Sequence, residues 1–358
     1  MKEPIGIIVV GCGNMGSSHA RAYKQMKGFE IVGLVSRHSD SRERLSEELG
    51  GYPTYSSLTE ALADSEASAV SINTYPDSHA ALIREALNAD CHVFVEKPLA
   101  TTVAEAEALV ALSKEKGKIL LVGYILRVHP AWVRFVQIAK KLGKPLVMRM
   151  NLNQQSTGLQ WYTHKQLMKS MSPIVDCGVH YVDIMCLMTE SRPISVSAIG
   201  ARLTDEIPEG MYNYGQLQVR FEDGSVGWYE AGWGPMMSET AFFIKDVIGP
   251  GGSVSISDLP EEASGDIEGH TKSGVLQRHY NIVDGEGRFL HPDAFIEVEN
   301  EPDHDGLCLL EQELFLRAIT EKQDLSKHLA SAVNSLKIVL AADASVRQGK
   351  TVIIEIND

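Results

Sequence analysis

The chain is expected to be an α/β protein, with a doubly wound parallel sheet at its N-terminus followed by an α/β domain on a large open, mostly antiparallel sheet. Three features lead there. Short Val- and Ile-rich runs alternate with helical patterns through the first third, and a glycine turn joins the first run to the first helix. After Lys144-Pro145 that alternation gives way to longer segments rich in β-branched and aromatic residues.

The runs at 5–10, 30–35, 69–73, 92–95 and 119–122 are too short for helices and suit strands buried on both faces. Helical stretches at about 15–27, 41–49, 78–88 and 102–116 separate them, the last ending at Gly117. Strand and helix in alternation imply right-handed crossovers and a parallel sheet. Strands are expected next at 146–153, 195–202, 213–221 and 225–231, with Glu222-Asp223-Gly224-Ser225 as a hairpin turn between the last two. A helix at 173–188 interrupts them. Helices at 307–321 and 328–348 and a strand at 351–356 close the chain, and no internal repeat is visible. The division expected is 1–125 and 126–358, with the C-terminal helices able to pack back on the first domain.

The 358 residues allow two domains with a core in each. With 33 basic and 47 acidic residues the net charge is −14, which opposes attraction to nucleic acid or an anionic membrane. No run of about eighteen apolar residues suggests a membrane span, and the apolar start runs into a glycine turn rather than a cleavage site. Five scattered cysteines without a CxxC pair suggest neither a disulfide framework nor a zinc cage, so a reducing cytoplasm is expected. Segment 258–305 holds thirteen acidic and three basic residues and reads as a solvated insertion. Asp303-His304-Asp305 within it has no partner ligands at a recognisable spacing, and no metal is expected.

Chemistry concentrates in four places. Gly11-Cys12-Gly13-Asn14-Met15-Gly16 follows the first strand and opens the first helix, the setting in which such a turn holds a dinucleotide pyrophosphate. Gly11 serves the tight turn, Gly13 the approach of backbone to phosphate and Gly16 the packing of helix on strand. Ser36 and Arg37 stand at the end of the second strand, where an acidic residue would select NAD; a guanidinium there favours the 2′-phosphate of NADP, and NADP is preferred over NAD. Glu96-Lys97-Pro98 ends a strand on the side where such sheets bind ligands, and proline restricts Lys97 to extended geometry. Asp176, His180 and Asp183 share one face of the helix expected at 173–188, which suits acid–base chemistry; two metal ligands at i, i+4 are also conceivable, with no third ligand evident.

The glycine turn, Asn73-Thr74-Tyr75-Pro76-Asp77-Ser78-His79, Glu96-Lys97-Pro98 and Asp176-x-Gly178-x-His180-x-x-Asp183 together resemble the glucose-fructose oxidoreductase / inositol dehydrogenase / MocA (Gfo/Idh/MocA) family over nearly the whole chain. The resemblance implies a Rossmann domain, a substrate-binding and oligomer-building α/β domain, and NAD(P)-dependent hydride transfer at a carbinol of a sugar, cyclitol or related polyol. It implies a homo-oligomer, dimer or tetramer. Lys97, Asp176 and His180 would be catalytic, with His180 as acid/base and Lys97 polarising the reacting oxygen. Asn73, Thr74 and His79 would lie along the cofactor and Glu96 near the nicotinamide ribose, with Trp161 and Tyr162 as substrate-wall candidates. One departure stands out: Ser170-Met171-Ser172-Pro173 occupies the place where family members often carry a glycine run. A redox-neutral glycosidase that oxidises its sugar transiently, and a dinucleotide-binding regulator, remain open.

Overall fold

The computed structural model describes residues 3–238, 244–257, 275–298 and 301–354. The chain forms two compact units, Met1–Val128 with Pro302–Val333, and His129–Glu301 with Asn334–Asp358.

In the first unit the chain runs β1 (Ile5–Val10), α1 (Asn14–Gln25), β2 (Phe29–Val35), α2 (Ser39–Leu49), β3 (Thr54–Tyr55), α3 (Leu58–Asp64), β4 (Ala69–Ile72), α4 (Pro76–Asn88), β5 (His92–Glu96), α5 (Val103–Lys116) and β6 (Leu120–Gly123). All six strands are parallel, in the order β3-β2-β1-β4-β5-β6. The order reverses direction beside β1, and the crevice past the carboxyl ends of β1 and β4 is where this topology binds ligands. β4 and β6 are buried throughout, which explains their continuous apolar runs. Ser57 and Thr102 cap α3 and α5 by accepting from the amides of Glu60 and Glu105, and Gly117 ends α5 in left-handed geometry at φ 62°.

The second unit contains α6 (Pro130–Ala139), β7 (Val147–Gln155), α7 (Gly158–Leu167), α8 (Pro173–Asp176), α9 (Gly178–Thr189), β8 (Pro193–Ala201), β9 (Tyr214–Phe221), β10 (Val226–Gly234), β11 (Lys245–Gly249), β12 (Gly252–Ser257), β13 (Val275–Tyr280) and β14 (Ala294–Ile296). α10 (His304–Thr320) returns to the first unit and packs on α1 there. α11 (Ser326–Gln348) begins in the first unit and ends in the second, followed by β15 (Val352–Ile353). The nine-stranded sheet has the order β14-β13-β12-β11-β7-β10-β9-β8-β15. Every pairing in it is antiparallel except β7 with β10. The expected fold class is therefore the observed one.

Several local expectations change. The helix expected at 173–188 is interrupted at Cys177, where the His180 amide bonds to the Cys177 carbonyl rather than one residue further back. Cys177 keeps right-handed geometry (φ −84°, ψ −39°), so Asp176 and His180 still follow one helical winding. Gly178 opens α9 because a Cβ there would lie 3.0 Å from the Tyr229 ring beneath it. Of the strand expected at 351–356, Val352–Ile353 is strand while Thr351 and Ile354 are not, and 355–358 lie outside the described residues. Residues 258–274 and 299–300 of the acidic segment also lie outside them; the described part carries β13 and β14, and Asp303 caps α10 by accepting from the Gly306 amide. α11 is long and apolar enough to cross a membrane by composition, but 61% of its apolar window is buried in the protein, as in a core helix.

Candidate active site

In the first unit the glycine turn is shaped by contacts that exclude side chains. Gly11 has φ +95°, and a Cβ on it would fall 2.4 Å from the Asn73 carbonyl oxygen. One on Gly16 would fall 1.7 Å from the Gly11 carbonyl oxygen. Gly13 differs: nothing lies within 4 Å of its Cβ position, so space is open above the turn. Gly13 and Asn14 are exposed and Met15 is half-buried. α1 has no side-chain cap, so its first-turn amides face that space with the positive end of the helix dipole. These residues fit a dinucleotide pyrophosphate.

Around this turn the other strand ends are tied together. The Asn73 side-chain amide donates to the Ser71 carbonyl at 3.2 Å, and Thr74 Oγ1 lies 2.7 Å from Ser78 Oγ. His79 is fully buried, with Nδ1 2.8 Å from the Pro98 carbonyl and Nε2 3.0 Å from that of Thr74. It thereby fastens the 73–79 turn to the Glu96-Lys97-Pro98 segment. Burial lowers the basicity of this ring, against the pull of both carbonyls. The Lys97-Pro98 peptide is cis, Lys97 is half-buried, and the Lys97 amide donates to Glu96 Oε2 at 3.3 Å. Burial pushes the Glu96 carboxyl up, yet the hydrogen bond from His19, with the charge of Lys97 beside it, outweighs this and holds it below the ordinary glutamate range. At the end of β2, Ser36 is half-buried and Arg37 exposed. Arg42, absent from the sequence-based expectation, donates to the Ser36 carbonyl at 2.9 Å. Burial raises the Cys12 thiol to about 11, with Arg42 opposing.

In the second unit Asp176 is half-buried while His180 and Asp183 are buried. Asp176 faces His164 of α7, a residue that sequence reasoning missed. The only signal for it was its place three positions after Trp161, on the same side of α7. The His164 ring stacks on Trp233 at 4.3 Å and its Nδ1 lies 3.0 Å from Ser156 Oγ. Burial pushes it down to about 4, against the nearby Asp176, so it is neutral at pH 7. Gln154 Oε1 accepts from Trp233 Nε1 at 2.9 Å and from the Cys177 thiol at 3.6 Å, closing a polar cluster at the ends of β7 and β10. Trp161 is buried, its indole N–H 3.4 Å from Glu206, whereas Tyr162 is exposed beside a groove with Lys165, Lys169 and Pro208. Ser172, from the Ser170-Met171-Ser172-Pro173 segment noted as a departure in the sequence, caps α8 and donates to Asp343 of α11 at 2.6 Å.

Residues 5–124 match the GFO/IDH/MocA oxidoreductase family, NAD-binding Rossmann fold, and residues 134–245 match the GFO/IDH/MocA C-terminal domain. The chain belongs to the GFO/IDH/MocA family. Among curated members it is 28% identical over 201 residues to the UDP-N-acetylglucosamine 3-dehydrogenase of Acidithiobacillus ferrooxidans, covering 55% of this chain and 59% of that enzyme. It is 25% identical to the scyllo-inositol 2-dehydrogenase (NAD(+)) of Bacillus subtilis, covering 99% of this chain and 98% of that enzyme. An NAD binding oxidoreductase from Klebsiella pneumoniae shares the fold of this GFO/IDH/MocA member, with a TM-score of 0.79 at 19% identity over 99% of this chain and 100% of that one.

Proposed function

We propose that this protein is an NAD(P)-dependent dehydrogenase or reductase of a sugar, cyclitol or related polyol. The observation that carries the reading is the segment Glu96-Lys97-Pro98, tied by His79 to the turn that lies against Gly11. Family membership and the Asp176/His180 pair of the second unit support it. Bound nicotinamide supplies a hydride acceptor or donor at C4. Lys97 then stabilises negative charge on the substrate oxygen, and His180 takes or returns its proton with Asp176 favouring the charged ring. Lys97→Ala and His180→Ala are each expected to lose about 10²- to 10⁴-fold in turnover while nucleotide still binds. Near-normal rates in both would refute the assignment.

NADP is preferred over NAD, supported by Arg37 and Arg42 at the end of β2. A homo-oligomer, dimer or tetramer, is supported by the large sheet. Val226, Val147 and Ile248 are register partners across β10, β7 and β11, so they share one face, and each is exposed. Five free, buried cysteines support a cytoplasmic location.

A further inference from the structure

A buried polar chain ends on the carboxylate that precedes Lys97. In the first unit Tyr23 Oη lies 2.5 Å from Gln312 Oε1, Gln312 Nε2 lies 2.8 Å from His19 Nδ1, and His19 Nε2 lies 2.8 Å from Glu96 Oε1. Tyr23, His19 and Gln312 are fully buried and Glu96 nearly so.

One charge orders every donor along it. An ionised carboxylate only accepts, so His19 Nε2 must carry the proton that it donates. Gln312 turns its NH₂, which can only donate, to His19 Nδ1, so Nδ1 is a lone pair and the ring carries a single proton, on Nε2. The Gln312 oxygen is thereby left for Tyr23, which donates to it. The other tautomer would aim a lone pair at the Glu96 carboxylate, and a flipped Gln312 would aim its oxygen at the Nδ1 lone pair. Each of these leaves two buried lone pairs facing one another with no proton between them.

The groups that face Glu96 are His19 from α1, His79 from α4, Lys97 beside it and Glu311 from α10. Glu311 Oε1 is buried with no hydrogen-bond partner among the described residues, 3.5 Å from where a Cβ on Gly123 would lie. Burial, then the Glu96 charge, push the Glu311 carboxyl well above the ordinary glutamate range. His19, Cys308 and Glu311 place ligand-type atoms within 4.8 Å of one another. Both ring nitrogens of His19 are already engaged by Glu96 and Gln312, so neither is left to ligate an ion there.

We propose that Gln312 is a positioning residue, which selects the His19 tautomer that donates to Glu96 and so keeps that carboxylate ionised and oriented at the head of the Lys97 segment. The consequence for turnover rests on the dehydrogenase reading above; the tautomer does not.

Nitrogen-15 NMR of histidine-labelled protein, with the His19 resonances identified by their loss in His19→Gln, reads the tautomer without any substrate. A neutral ring protonated on Nε2 is expected, and protonation on Nδ1 or on both nitrogens would overturn the proposal. Turnover against pH in two variants tests the coupling. Gln312→Leu removes the partner of Nδ1, weakens the His19 donor and should move the acid limb up by about one pH unit. Gln312→Glu supplies an acceptor for a second ring proton, makes His19 a cation beside Glu96 and should move the acid limb down. Movement in the same direction in both variants would overturn the coupling, because simple loosening of α10 gives no opposite signs.

Discussion

Gly13 and Gly16 lie three positions apart and do different physical work. A Cβ on Gly16 meets a backbone carbonyl at 1.7 Å, and backbone cannot yield as a side-chain tip can. Gly16→Ala is therefore expected to lower the thermal midpoint and abolish nucleotide binding together. Gly13→Ala meets nothing within 4 Å, so the fold should hold while nucleotide affinity falls about tenfold or more, as a methyl group enters the space that phosphate needs. Calorimetry with nucleotide titration separates the two, and equal thermal losses would contradict the distinction. Residues of this kind are visible in a sequence because their spacing is local. His19 and Gln312 are 293 positions apart, and no periodicity joins them. Their pairing follows only from the packing of α10 on α1.

Helices and strands show the same dependence on range. β1, β4 and β5 could be read directly because strands buried on both faces are continuous apolar runs. β3 has two residues and α3 seven, too few to carry a period, and both went unseen. β11 and β12 form a hairpin closed by Gly249 and Gly252, a turn signal that the sequence reading passed over. α2 shows what an unpredicted helical start can hide. It begins at Ser39, and its first turn carries Arg42 back to the Ser36 carbonyl, so two guanidinium groups follow β2 where one was expected. Replacing both, Arg37→Ala with Arg42→Ala, should weaken NADP by tenfold or more and leave NAD nearly unchanged. A charge-assisted hydrogen bond contributes about 1.5–3 kcal/mol, and only NADP offers the 2′-phosphate. Equal losses for both nucleotides would show that the arginines support the loop instead.

The fold as a whole keeps several histidines neutral, and this sets its response to acid. Burial and Lys118 push His92 down to about 4, burial against Asp176 pushes His164 down to about 4, and burial with Arg127 holds His328 well below its usual range. Unfolded, each binds a proton near pH ~6.5. The unfolded chain then holds more protons than the folded one, so stability is fully present above about pH 6.5 and falls as pH drops towards 4. Each of the deeper rings, His164 and His328, can add up to about 1.4 kcal/mol per pH unit to that slope. Thermal midpoints measured between pH 8 and pH 4 should decline below about 6.5, with a shallower decline in His164→Gln; a flat profile would contradict the neutral assignments. The structure divides after Val128, whereas the change of pattern in the sequence comes after Lys144-Pro145, and the return of 302–333 to the first unit depends on contacts between distant segments. The most direct test of the central claim is transfer of deuterium from carbon-labelled inositols and nucleotide sugars to nicotinamide C4, followed by mass spectrometry of the recovered nucleotide. Label on C4 is expected with at least one such polyol, and its loss in Lys97→Ala and His180→Ala. Nucleotide that binds yet stays unlabelled across the whole panel would contradict it.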